Sequence, residues 1–262
     1  MAKKNYWKEL WNYHELIYIL SWRDIKIRYK QTVMGASWGI IRPLVTTIIF
    51  TVVFNRIAKL QNPSAAPYIL MVSAGMLPWQ FFASALAETS NSVIGNAGLI
   101  SKVYFPRLII PLSSIVTSLV DFFVAFIIII VMMVWYKFLP GWQVVFLPFF
   151  ILLLIASALG VGLYLTALNV KYRDFRHLIP FVIQIGLYVT PVAFSSKSIP
   201  QNWRVWYSIN PMAGIVDGFR WCLLNDTFYW QGFAISVAIT VLLLINGLRF
   251  FSRMEKNFVD DI

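Results

Sequence analysis

The 262-residue sequence is 59% hydrophobic and only 13% charged, with a net charge of +11. A soluble domain holds roughly 45–50% apolar and about 25% charged residues, so a free-standing soluble fold is excluded and an integral membrane bundle is expected. A lone cysteine, Cys222, excludes an internal disulfide or a thiolate metal cluster, and positive charge confined to the gaps between apolar runs is explained by membrane topology without nucleic acid.

The first 34 residues precede any span. In YWKELWNYHELIYILSWRD, Trp7, Trp11, Tyr18 and Trp22 recur near one helical face, while Lys8, Glu9, Asn12 and Glu15 fall elsewhere. This predicts an amphipathic helix lying in the headgroup region, the other reading being a soluble helix packed on a partner. The opening MAKKNYWKELWNYHEL lacks the charged, apolar and small-residue order of a cleavable signal. The basic run RDIKIRYKQTVMGASWGIIRP follows at 23–43. Arg28 and Lys30 are candidates for holding acidic headgroups, and Trp38 is a channel or interface candidate near the same surface. Ordinary membrane anchoring accounts for these residues equally well.

Six apolar runs approach the roughly 20 residues that cross a bilayer. They lie at about 36–54, 66–87, 108–136, 144–168, 178–194 and 233–251, which makes 36–252 a six-span bundle and 253–262 a short tail within one domain. The fifth is short and bounded by Pro180 and Pro191, which predicts a broken or re-entrant element. With both termini on one side, sixteen Lys and Arg fall on that side and six on the other. Positive charge favours the cytoplasm, so both termini are expected to be cytoplasmic.

Between the second and third runs, NAGLISKVYFPRLIIP combines basic and aromatic side chains between prolines, either a partner-binding loop or a membrane-surface turn. Within the third run, Ser113, Ser114, Thr117, Ser118 and Asp121 form a polar stripe that should avoid lipid, lining a channel or contacting another helix. Asp121 has no evident partner, and Glu88 is either a channel-mouth or an interfacial residue. The charged turn NVKYRDFRHLIP, with Tyr172, Arg173 and Asp174, lies between the fourth and fifth runs. An exposed Arg–Asp pair is worth only about 0–1 kcal/mol, so docking of a soluble partner explains the cluster better than stability does, although topology alone also places positive charge there. From 195 to 231 the chain is too polar to span and too rich in Trp and Tyr for a plain loop. Short helices that dip into the outer interface are expected there.

Four stretches in this order, RDIKIRYKQTVMGASWGIIRP, KVYFPR with Pro111, NVKYRDF and INPMAGIVDGFR, resemble the membrane subunits of ABC exporters for bacterial cell-surface polysaccharides, the O-antigen, capsule and teichoic acid permeases. The resemblance covers the whole chain. It implies a homodimer in the cytoplasmic membrane, with two copies of a separate ATPase docked on the cytoplasmic side, which would carry the ATP and Mg. It implies that Leu99, Ile100, Ser101, Lys102, Val103, Tyr104, Phe105, Pro106 and Arg107 form the coupling element, with Tyr172, Arg173 and Asp174 on the same face. It further implies that Trp203, Trp206, Asn210, Pro211 and Arg220 belong to outer gate helices. The cargo would be a polyprenyl-diphosphate-linked glycan passing through a channel between the copies, for which Trp38, Glu88, Ser114, Thr117, Ser118 and Asp121 are candidates.

The residues agree with a divided machine. There is no G-x-x-x-x-G-K-[ST] phosphate loop, so ATP hydrolysis is expected on another chain. His14 and His177 are the only histidines, and no metal-ligand spacing occurs. An ion-gradient transporter would show internal repeats and paired charges within spans. A membrane acyl or glycosyl transferase would show an acid–base constellation at one interface. Neither pattern is evident.

Overall fold

A computed structural model describes residues 3–30, 37–59, 64–172 and 174–258. Among them the fold is all helical: α1 (Lys3–Asn12), α2 (His14–Lys30), α3 (Ser37–Thr51), α4 (Tyr68–Gly95), α5 (Ala97–Ile100), α6 (Ile109–Trp135), α7 (Leu147–Lys171), α8 (Phe175–Val189), α9 (Gln201–Tyr207), α10 (Pro211–Leu224) and α11 (Trp230–Met254).

Four helical segments are long and apolar enough to cross a membrane: Tyr68–Gly95, Ile109–Trp135, Trp142–Lys171 and Trp230–Met254. They match the second, third, fourth and sixth predicted runs. The other two are shorter. The fifth run is α8, a single 15-residue helix that is unbroken at Pro180 and stops at Val189, just before Pro191. It spans about 22 Å at 1.5 Å per residue, short of a hydrocarbon core of roughly 30 Å. The first run is α3, which continues as a π-helical segment over Val52–Ile57.

α4 is the axis of the bundle. It is the least hydropathic of the four candidate spans and by far the most buried, with 78% of its central window inside the protein against 17% for α11. A lipid-facing helix must be uniformly greasy, whereas a helix facing protein can carry small and polar residues. α6, α7 and α10 pack around α4, and α11 lies on α7. Polar side chains stitch α7 to α4. Thr166 Oγ1 donates to the Thr89 carbonyl at 2.8 Å, and Asn169 Nδ2 donates to the Ser90 carbonyl at 2.9 Å.

The segment between α8 and α11 divides in two. α9 is a surface helix with Trp203 and Trp206 exposed, whereas α10 is mostly core. The expected dipping helix is therefore a buried one, held by α4, α7 and α11. Asn210 caps it by accepting the Met212 N–H at 3.0 Å, with Pro211 in the first turn. At its other end Asn225 adopts a left-handed conformation (φ 56°) and accepts the Gly141 N–H at 2.7 Å.

The N-terminal region also differs from expectation. It is two helices separated at Tyr13, and α2 packs along α6 instead of lying wholly in the headgroup plane. Its aromatic residues Trp11, Tyr18 and Trp22 still point outward as interfacial anchors would.

Candidate functional site

At one end of the bundle, a second hydrophobic cluster gathers Leu20 of α2, Val93 of α4, Ile100, Phe105 and Leu108 of the following loop, Val170 of α7, and Phe251 and Phe258 near the chain's end. It is a base on which the 96–107 loop is mounted. α5 supplies only one helical turn. Ile100, Phe105 and Pro106 are buried, while Ser101, Lys102, Val103 and Tyr104 project. Tyr104 is 83% exposed, an aromatic ring presented on a pinned support. Arg107 fastens the loop to the far end of the chain: its backbone N–H donates to Glu255 Oε1 at 2.7 Å, and its guanidinium donates to the Glu255 carbonyl. Glu255 and Phe258, in the stretch 253–262 read from the sequence as a short tail, thus form part of this support.

The 171–174 turn leaves Lys171, Tyr172 and Asp174 exposed, with the Lys171 ammonium 5.2 Å from the Tyr172 ring centroid. Arg173, the third member of the predicted set, lies outside the described residues, as does the 31–36 stretch. Trp38 lies in α3, and its side chain is also outside the description.

Asp121, which has no partner evident in the sequence, has two in the fold. The Arg28 guanidinium donates to Asp121 with one terminal nitrogen and to Glu88 with the other. The Tyr29 hydroxyl donates to the second Asp121 oxygen, and Ser118 Oγ donates to Glu88 Oε2 at 3.2 Å. Arg28, a predicted headgroup contact, is thus paired with two carboxylates of the bundle, while Lys30 is exposed. The rest of the polar stripe folds back on its own helix. Ser114 donates to the Ile110 carbonyl at 3.3 Å and Thr117 to the Ser113 carbonyl at 3.0 Å. Both are buried against neighbouring helices of this same chain.

The opposite end holds a cavity of about 210 Å³ in which Lys197, Arg204, Tyr207, Asp217, Arg220 and Asp226 are set among apolar residues such as Ile199, Phe228 and Phe233. Its walls are built from internal pins. Arg220, only 2% exposed, donates to the carbonyls of Met71 (3.2 Å), Val192 (2.7 Å) and Phe194 (2.9 Å). Arg204 donates to the carbonyls of Ile199 (3.0 Å) and Lys197 (2.8 Å), and Lys197 pairs with Asp226. Asn210 Nδ2 donates to Thr190 Oγ1 at 3.0 Å. Arg220, counted from the sequence as an outer-surface charge and gate candidate, is thus a core fastener.

Asp217 accepts a hydrogen bond from Ser196 at 2.8 Å, yet burial dominates and pushes its carboxyl up to about 6. A raised carboxyl favours the fold below its unfolded value, and that contribution is lost as pH rises through about 6. The solubilised protein's thermal midpoint should fall between about pH 4 and 6 and level off above that for this reason. Asp217→Asn should flatten that fall; an equally steep fall in the variant would assign it to other groups.

This architecture, a single bundle of apolar helices with a firmly seated exposed loop between α4 and α6, is that of a multi-pass transport subunit. The chain belongs to the ABC-2 type transporter family, whose profile matches residues 15–224. It is 28% identical to an O-antigen export system permease protein RfbA of Klebsiella pneumoniae over 94% of both chains. It is 25% identical to the RfbA permease of Myxococcus xanthus over 97% of this chain and 98% of that one. It is 20% identical to the polysialic acid transport protein KpsM of Escherichia coli over 89% and 91% of the two chains.

Proposed function

We propose that the chain is the permease subunit of an ATP-driven exporter of lipid-linked cell-surface polysaccharide. Two copies form the channel, and each docks one separate ATPase subunit that carries the ATP and Mg. The single observation that carries this reading is near end-to-end similarity to proteins named for O-antigen export and polysialic acid transport. The reading takes α3 and α8 as the first and fifth of six membrane elements and puts both termini in the cytoplasm, in keeping with the sixteen-to-six charge split. The apolar faces that these helices expose, Ile48 and Ile49 on α3 and Phe181 and Ile185 on α8, are in keeping with burial between copies. The cavity end, with α9 and α10, is the outer gate in this reading.

Under this reading the projecting residues Ser101–Tyr104 contact the ATPase. Aromatic anchors in such interfaces contribute about 2 kcal/mol, roughly thirtyfold in affinity. Affinity purification from the native host should recover a P-loop ATPase in equal amount, and Tyr104→Ala should weaken that recovery while membrane levels stay the same. Recovery of the chain alone, with glycan transport that needs no ATP, would overturn the proposal. Arg107→Ala tests a different thing, because Arg107 holds the loop's base to Glu255.

A further inference from the structure

α2 is tied to both helices that flank the projecting loop, at two levels. At the loop end, Arg23 Nη2 donates to Asn96 Oδ1 at 2.9 Å, just past α4, and Ser21 Oγ donates to the Ser113 carbonyl of α6 at 3.2 Å. Deeper in, Arg28 reaches Glu88 of α4 and Asp121 of α6, and Tyr29 reaches Asp121. From Ser21 to Arg28 is about 10 Å of helix, and from Ser113 to Asp121 or Asn96 to Glu88 about 12 Å. α2 therefore runs alongside α6 in the same direction and opposite to α4, clasping both ends of the loop.

Adhesion does not require the charges. α4 and α6 already pack closely, with Phe81 edge-on to Phe122 at 5.7 Å. What the charges add is a condition. Glu88 and Asp121 sit on different helices, and one guanidinium separates them, so the group carries a net charge of −1 with Arg28 in place and −2 without it. At low effective dielectric two facing carboxylates repel strongly. Close approach of α4 to α6 at this level thus depends on where α2 lies.

We propose that α2 is a charge-keyed strap: Arg28 is a positioning residue that couples displacement of the 96–107 loop to the separation of α4 and α6. Pulling the loop draws α2 through Arg23 and Ser21, shifts Arg28 from between the carboxylates, and lets them drive the two helices apart. The link to export rests on the loop being the ATPase-docking element; the strap itself does not.

The test replaces Arg28 in the complete complex reconstituted in nanodiscs, and in cells whose own copy is replaced. Arg28→Gln should lower surface glycan at least tenfold while ATPase co-purification and basal ATP hydrolysis stay within twofold of wild type. It should also raise amide hydrogen exchange across residues 14–30 at least tenfold. Adding Glu88→Gln, which removes the repulsion, should lower that exchange at least threefold because α4 and α6 close again beneath α2, while export stays low because nothing then drives them apart. A general loss of stability would not be repaired by deleting a second polar partner. Should Arg28→Gln fail to accumulate, Arg28→Lys keeps the charge but cannot fork between two carboxylates, and it should show the same pattern more mildly. Near-normal export in the variant that accumulates, or exchange left unchanged by the added Glu88→Gln, would overturn the strap. If the wild-type chain recovers no ATPase, the functional reading fails, and the exchange measurement on the chain alone still decides the strap.

Discussion

Arg220→Met should cost more stability than any other single polar substitution in the described fold. The guanidinium serves three carbonyls: Met71 on α4, and Val192 and Phe194 in the non-helical turn after α8. Val192 is fully buried, so water does not replace the lost donors. Hydrogen bonds to a charged group contribute about 1.5–3 kcal/mol each, and stranded buried acceptors add a desolvation cost. Loss of the buried Arg charge offsets part of this, leaving about 4 kcal/mol. At roughly 2–4 °C per kcal/mol for a chain of this size, the thermal midpoint of the solubilised protein should drop by about 10 °C. Arg220→Lys should not rescue it, because a point charge cannot serve three diverging carbonyls. Gly75→Ala approaches the same pin from the other side, since a Cβ there would lie 2.9 Å from both Arg220 Nη2 and the Val192 carbonyl. A drop of less than about 2 °C in Arg220→Met would show that other donors take over.

The second large effect is expected at the contact between α7 and α11. A Cβ on Gly247 would sit 2.2 Å from the Gly160 carbonyl, and a Cβ on Gly160 would sit 2.7 Å from the Leu244 backbone nitrogen. The two backbones touch, as small residues permit between membrane helices. The buried positions of α11 are Gly232, Ser236, Thr240, Gly247 and Phe251, one stripe on one face. Gly247→Val should force the helices apart at a cost of about 3 kcal/mol. Displacing α11 also draws Glu255 and Phe258 away from the loop. Proteolysis near residue 101 should therefore quicken together with the loss of thermal stability. An unchanged cleavage rate in a destabilised variant would separate the two ends of α11.

The four longest helices were legible from hydropathy because lipid imposes length and apolarity on each span independently of its neighbours. α10 was not, because a helix shielded by other helices need not be greasy, and Asp217 and Arg220 disguise it as an outer loop. The candidate site was half legible. Asp121 and Glu88 stand out as carboxylates in apolar runs, and Tyr104 as an aromatic residue in a basic loop. Their partners leave no local trace: Arg28 lies 60 residues from Glu88 and 93 from Asp121, and Glu255 lies 148 from Arg107. A basic run before a span reads as headgroup contact until the fold brings carboxylates to it.

The bond between Arg107 and Glu255 also sets an order of events during synthesis. The loop emerges when less than half of the chain has been made, yet its base lacks Glu255, Phe251 and Phe258 until the last helix is complete. A nascent chain, or one truncated before α11, therefore has the projecting residues Ser101–Tyr104 but not their support. On the reading proposed above, recruitment of a partner by this loop becomes a checkpoint that only chains with α11 inserted pass, and an affinity tag fused immediately after residue 258 is placed where it interferes with that checkpoint.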